Sequence, residues 1–330
     1  MDSLYSLLSR IPLPPFDFLP TLNTRGTTPR VALHNFTCRN RILELVPLSD
    51  QYVDDRLQHF QRELDRTDSD GSHIHPDFLP LVDLTTRCDQ WPTIQVHNED
   101  QMKNGVVAAY WTVIQWVLGA TDLFHAGVQL VADGYLKCRC DCGVALTMLG
   151  SWLLGVEFKT PATLREQDLE PCLSFITQHR STMLRSSSDG TRYRLETTDG
   201  SYKLPIQVNI GRAILQSAGR MLDIKEAMAA DSSVRVDPNA PREVFIYNGE
   251  LGIILKRLAP DLTKENRIRF GISRAVDFRQ GSSGLQCGFY RIGRWAHYQV
   301  ARYDQAMSPT TIRLYQVHRL YHPEKSASSV

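Results

Sequence analysis

Apolar residues recur along this chain with two periods, and the switch between them lays out the elements. Between residues 48 and 66, Val53, Leu57, Phe60 and Leu64 share one face of a helix that Ser49 or Asp50 can cap. A second helix has the clearest pattern. Asn98 caps it, Val106, Val107, Tyr110, Val113, Ile114 and Val117 follow at helical spacing, and it ends near Gly119. Val128–Leu136 and Trp152–Phe158 then predict strands. The second is apolar nearly throughout, as a central strand covered on both faces should be, and Thr160-Pro161 stops it. Residues 191–204 predict a hairpin turning at Asp199-Gly200. Residues 207–229 predict a helix carrying Ile210, Ile214, Leu215, Met221 and Leu222. Val244–Tyr247 and Leu251–Leu255 predict a second hairpin around Asn248-Gly249.

The text between these elements is punctuated rather than periodic. Residues 1–35, with Pro12, Pro14, Pro15, Pro20 and Pro29, read as an extended or wrapping arm. Residues 66–80, with Asp70-Gly71 and two prolines, read as a loop, and Asp231 to Pro241 as a polar one. Beyond Arg267 short strands are expected, then a frayed tail after Tyr321. No internal repeat is visible. The order helix, strand, strand, helix, hairpin predicts an α/β fold. It divides into an N-terminal arm and helical segment (1–94), a core (95–260) and a basic C-terminal, β-rich extension packed on that core (261–330).

Composition narrows the class. Thirty-seven Lys and Arg against 36 Asp and Glu give a net charge of +1, which argues against a polybasic tail or wholesale coating of nucleic acid. The balance is uneven, however. Arg267, Arg269, Arg274, Arg279, Arg291 and Arg294 make the C-terminal region basic, while Glu44 to Asp100 leans acidic. A basic face suits a phosphate backbone, and a solvated surface is the plainer alternative. No segment reaches the roughly 20 apolar residues that span a bilayer. The run Val106 to Leu118 is interrupted by Tyr110, Thr112 and Gln115. The start Met1-Asp-Ser-Leu-Tyr lacks a basic leader, and seven cysteines is an odd, sparse count. These features predict reduced thiols in an intracellular protein, nuclear or cytoplasmic and not secreted, with no membrane contact.

Three charged residues stand where an apolar strand should not hold them. Asp133 ends Val128-Gln-Leu-Val-Ala-Asp, and Glu157 and Lys159 close the next strand, two apart and so on one face. Buried charge needs a partner. Asp and Glu on neighbouring strands offer hard oxygen ligands to a divalent cation such as Mg²⁺ or Mn²⁺. A Lys beside them can orient a water and stabilise charge on a phosphate. Together these are the parts of a phosphodiester hydrolase.

At this point the chain resembles a family. Ala132-Asp133-Gly134, a spacer, then Gly155-Val-Glu157-Phe-Lys159-Thr160-Pro161 resembles the Asp…Glu-x-Lys core of the PD-(D/E)XK nucleases, in the V-E-x-K-T-P form of predicted fungal members. The likeness covers roughly residues 95–260. It implies a restriction-endonuclease-like core, a mixed central sheet flanked by helices. It also implies a metal held by Asp133 and Glu157, with Glu99 at the start of the preceding helix completing the set. Lys159 would position the attacking water, and Gln207, from the following helix, would hold substrate or water. The substrate would be DNA or RNA. The chain departs from the family pattern in three places. Ala132 stands where Pro is usual. The long spacer leaves Asp141 as a rival ligand. Gly211, not Tyr, follows Gln207 by four residues.

Competing readings stay open. For Glu99 and Asp100 the plain alternative is charge complementing a helix N-terminus. Cys138, Cys140 and Cys142 alternate, but zinc ligands are usually spaced C-x₂₋₄-C, so small residues flanking a turn is the favoured reading. No kinase, Walker, dinucleotide or G-x-S-x-G text is present. At the level of function, the nuclease competes with a binding module that keeps the fold without the chemistry, and with an interaction protein that has no nucleic-acid role.

Overall fold

The strand ending in Glu157 lies inside a mixed sheet, and the rest of the described architecture is arranged around it. The structure, a computed structural model, describes residues 16–18, 42–52, 93–104, 128–132, 141–146, 151–187, 189–221, 243–258 and 267–277. Its strands begin with β1 (Phe16–Phe18), β2 (Ile42–Pro47), β3 (Ile94–Val96), β4 (Val128–Ala132), β5 (Cys142–Leu146) and β6 (Ser151–Phe158). Helix α1 (Glu166–His179) leads into β7 (Thr182–Ser186), β8 (Tyr193–Thr197) and β9 (Lys203–Ile206). Helix α2 (Val208–Arg220) precedes β10 (Glu243–Tyr247), β11 (Leu251–Arg257), β12 (Arg267–Ile272) and β13 (Val276–Asp277). Helical turns also open at 50–52 and 99–104.

Eleven strands form one sheet in the order β4-β5-β6-β10-β11-β12-β2-β7-β8-β9, with β13 also on β11. β4, β5 and β6 form an antiparallel meander. β6 and β10 then pair in parallel across a crossover that contains both helices, and β12 and β2 are parallel as well. β1 and β3 make a separate parallel pair. The chain is thus α/β with a mixed sheet. All three expected segments contribute to that sheet. β2 comes from 1–94, and β12 from 261–330 is an interior strand rather than a layer laid on the core. Among the described residues, the expected divisions do not separate folding units.

Directly paired residues share a face of a sheet. Glu157 pairs with Ile246, and Ile246 with Ile253, so Glu157 projects with them onto the face covered by helices. There Leu43, Leu45, Leu195, Val244, Leu255 and Phe270 pack against Leu169, Cys172 and Ile176 of α1 and Ile210, Ala213 and Ile214 of α2. Full burial of such side chains is worth about 1.5–3 kcal/mol each. Gly211 lets α2 lie close on β8, because a Cβ there would fall 2.4 Å from Cγ of Tyr193. Both expected hairpins are present, and their glycines carry the positive φ that the turns require, 75° at Gly200 and 92° at Gly249. Asn248 locks the second turn. Its Nδ2 donates to Leu164 O at 2.7 Å, and its Oδ1 accepts from the amides of Glu250 and Leu251.

The helix caps match the sequence where they are described. Ser49 Oγ accepts from Tyr52 N at 3.2 Å, and Asn98 Oδ1 accepts from Gln101 N at 2.9 Å. The remainder of the helices expected over 48–66 and beyond residue 104 lies outside the described residues, as do Asp133, residues 222–242 and the chain past 277. β2, β3, β5, α1 and β7 have no counterpart in the sequence reading, and β1 falls within the segment read as an extended arm.

Candidate functional site

β6 ends on two buried charges. Glu157 and Lys159 are 1% and 2% exposed, and Phe158 between them points to the other face, where it meets Tyr247 edge-on at 6.2 Å. The parallel neighbour fixes the strand's exit, since Lys159 N donates to Tyr247 O at 2.8 Å. Lys159 Nζ then has three acceptors: Phe158 O at 2.6 Å, Glu157 Oε1 at 3.2 Å and Glu99 Oε2 at 3.3 Å. An ammonium has three protons, so each can be used.

The meander brings a second acid to the same place. Cys142 pairs with Val156, and Asp141 immediately before it donates its amide to Val156 O at 3.0 Å. Its Oδ2 accepts from Phe158 N at 2.7 Å. Burial pushes the Asp141 carboxyl up to about 7, and the negative charge of Glu157 adds to the rise against the opposing pull of Lys159. Burial also raises the Glu99 carboxyl, again with Lys159 pulling the other way. For Lys159 burial acts to lower the pKa, but the charges of Glu157, Glu99 and Asp141 outweigh it and the net shift is upward.

Helix α2 supplies the other side. Gln216 and Arg220 are one turn apart and share a face. Gln216 Nε2 donates to Glu157 Oε1, and Arg220 Nε donates to Glu157 Oε2 at 3.2 Å. The carboxylate fixes the Gln216 amide with its nitrogen inward. That leaves Gln216 Oε1 buried without a hydrogen-bond partner among the described residues.

Of the residues expected to form the site, Glu157, Lys159 and Glu99 meet. Asp133 lies outside the described residues, and Asp141 is the aspartate found against the Glu-x-Lys strand. Gln207 needs correction. It is exposed at the N-cap of α2, roughly two and a half turns before Gln216, because its backbone is still extended there. The glutamine that reaches Glu157 is Gln216. A polar residue on the buried face of α2, paired with an Arg four residues on, was the signal for it. Several basic residues toward the C-terminus have partners within the chain. Arg269 lies 3.6 Å from buried Glu44, Lys256 3.6 Å from Glu243, Arg257 Nη1 donates to Met221 O, and Arg274 lies 3.2 Å from the exposed Asp50.

Asp141 and Glu157 offer hard oxygen donors, and Mg²⁺ is commonly held by one or two carboxylates together with waters and phosphate. Asp141 and Glu157 repel one another electrostatically, and Gln216 Oε1 is buried without a hydrogen-bond partner among the described residues. Among the described residues no group of three or more His, Cys, Asp or Glu side chains is arranged to hold a metal. Cys138 and Cys140 lie outside the described residues. Among the described residues no helix is long and apolar enough to cross a membrane. No protein-family model, curated protein or solved structure matches the chain.

Proposed function

We propose that this chain is a metal-dependent nuclease with a PD-(D/E)XK-type core, acting on the phosphodiester bonds of DNA or RNA. The observation that carries the reading is the buried Glu157–Lys159 pair at the end of β6, with Asp141 delivered beside it by the antiparallel strand β5. A meander, a helical crossover and a parallel fourth strand agree with the restriction-endonuclease-like core that the motif implies. Glu157 and Asp141 would hold the cation. When bound, Mg²⁺ or Mn²⁺ supplies an acidified water and neutralises charge at the scissile phosphate. Lys159, kept protonated by the surrounding carboxylates, orients the attacking water and donates to a phosphate oxygen. Gln216 holds the Glu157 carboxylate in place.

The test is cleavage of plasmid and single-stranded DNA, and of RNA, with Mg²⁺ or Mn²⁺. Glu157→Ala and Lys159→Ala serve as paired controls. Metal-dependent cleavage that both changes abolish supports the reading. One observation favours a second reading, a nucleic-acid-binding module without chemistry: Glu157 is already engaged by Gln216, Lys159 and Arg220. Binding that survives both substitutions, with no cleavage by the parent protein, selects that alternative. Negligible affinity at low salt, where counterion release favours even non-specific binding, removes both.

A further inference from the structure

The end of the sheet at which β6 and β10 finish carries more than the Glu-x-Lys pair. By the pairing directions, β12 and β2 also finish there, and β7 and β9 begin there. A cavity of about 960 Å³ opens between α1 and the ends of β2 and β12, where Pro47, Ile272, Thr177 and Arg180 are among its walls. Crevices at the carboxyl ends of parallel strands are common ligand sites in α/β sheets. Arg180 follows α1 with φ at 56°, a region that favours glycine, and its guanidinium has no hydrogen bond or ion pair among the described residues. A basic residue at a helix C-terminus ordinarily serves the dipole by bonding the last carbonyls, which this side chain does not do. The other charges at the cavity are Glu170, Asp50 and Arg274, and the last two pair with one another.

Tyr202 stands on the other flank of α1. At 60% it is the one exposed large apolar side chain among the described residues. It lies on the Glu157 face of the sheet, because it is opposite Thr197, Thr197 opposite Thr182, and Thr182 opposite Leu45 of the core. One face of its ring stacks on His179 at 4.9 Å and 26°, and His179 packs in turn on Phe175 at 4.4 Å. The exposed face is therefore the second one. Isolated surface aromatics are ordinary. Tyr202 differs in being held from behind by two further rings, with the unpaired Arg180 next to His179. The nearby acid, Asp199, is turned into its own hairpin by the Thr197 and Ser201 hydroxyls and the Ser201 amide.

We propose that Tyr202 and Arg180 receive single-stranded nucleic acid, an unstacked base lying on the open face of Tyr202 and a backbone phosphate on the Arg180 guanidinium. The proposal rests on the nuclease reading and names the strandedness of its substrate. An aromatic face accepts any base by stacking, whereas a base inside a duplex already has neighbours on both sides. The guanidinium fork matches phosphate oxygens. Seven strand spacings of about 4.8 Å place β9 roughly 30 Å from β6, so a strand held at Tyr202 reaches Lys159 after on the order of ten nucleotides.

The test is binding of a labelled oligothymidylate to the full chain without divalent cation, beside an abasic strand of equal length and a duplex. Tyr202→Ala is expected to weaken oligothymidylate binding about tenfold and to leave the abasic strand unaffected, with Tyr202→Phe close to the parent. Arg180→Gln is expected to weaken both strands and to lower the salt slope by about one. A Tyr202→Ala protein that binds like the parent, or that loses the abasic strand equally, overturns the proposal. So does a parent that prefers the duplex, or one that uses Tyr202 for phosphatidylserine vesicles and binds no oligonucleotide. Cleavage of duplex DNA by a parent that fails these tests leaves the nuclease reading standing. Binding that depends on Tyr202, in a protein that cleaves nothing, supports the stacking site and removes the nuclease. Should Tyr202→Ala not fold, the parent suffices. Its His179 ring resonances, identified by their loss in His179→Gln, are expected to shift with saturating oligothymidylate and not with the abasic strand. Resonances unmoved by oligothymidylate overturn the proposal.

Discussion

Lys159 Nζ lies 3.2 Å from Glu157 Oε1, two positions back on the same strand, with both side chains buried. The pair is asymmetric. Removing Glu157 takes one acceptor from each of Lys159, Arg220 and Gln216, whereas removing Lys159 leaves Glu157 with two partners. Glu157→Ala should therefore cost about 3–5 kcal/mol of stability, and Lys159→Met less. A double-mutant cycle by urea unfolding should give a coupling of about 0.5–3 kcal/mol. Additive losses would mean that the two charges do not meet.

Asp141 gives a pH dependence with a definite sign. Its folded pKa of about 7 is above the 3.8 of a free aspartate. The folded state therefore holds a proton that the unfolded state releases, and the resulting stabilisation is full below pH 4 and lost as pH rises through 7. Between those limits its share of the slope approaches about 1.4 kcal/mol per pH unit. Urea midpoints at pH 4.5, 6 and 7.5 should show this component in the parent and not in Asp141→Asn, which keeps an oxygen for Phe158 N. Metal-dependent cleavage should run the other way and increase as pH passes about 7, because the ionised carboxylate is the ligand.

Gly211 has no room for a side chain. Alanine there would put Cβ 2.4 Å from the Tyr193 ring, and overpacking of this kind costs about 1–3 kcal/mol. A drop in the urea midpoint of Gly211→Ala tests how closely α2 sits on β8. An unchanged midpoint would place the helix further away.

Phe270 is fully buried on β12, outside the span where the nuclease-like motif lies. Phe270→Ala should cost about 3–5 kcal/mol, as in other large-to-small core changes. A loss under 1 kcal/mol would return residues 267–272 to the status of an appendage.

Asn248→Ala would take a partner from three groups at one turn, the buried Leu251 amide and Leu164 carbonyl and the half-buried Glu250 amide. Each lost partner costs on the order of 1–3 kcal/mol. Hydrogen exchange at Leu251 should accelerate in the variant, and unaltered protection would show that the amide is held by something else.

What could be read from the sequence was local. β6 announced itself by an apolar run closing on charge. Asp199-Gly200 and Asn248-Gly249 marked their hairpins because a positive φ at the glycine is a property of the dipeptide. Helix α1 went unread although Leu169, Cys172, Leu173 and Ile176 keep helical spacing, since Pro171 interrupts it. β2 shows the alternation of a strand at Leu43, Glu44 and Leu45, but its partners Phe270 and Leu184 are far along the chain. The rest of the site failed to show for the same reason. Asp133 was the conspicuous acid because it follows an apolar run. Asp141 takes its place through the register of β5 on β6, which neighbouring residues do not encode, and Gln216 is marked only by a polar position on the apolar face of α2.

The parallel pairing of β2 with β12 has a consequence for biosynthesis. Residues 42–47 leave the ribosome well before their partners, since one flank must wait for Thr182 to Leu184 and the other for Arg267 to Ile272. Until translation is well past the Glu-x-Lys strand, this ribbon has bare amides and carbonyls along both margins. Nascent chains stalled before residue 267 should accordingly be captured by chaperones and cut by proteases, and resistance should arrive abruptly once the last of those partners emerges.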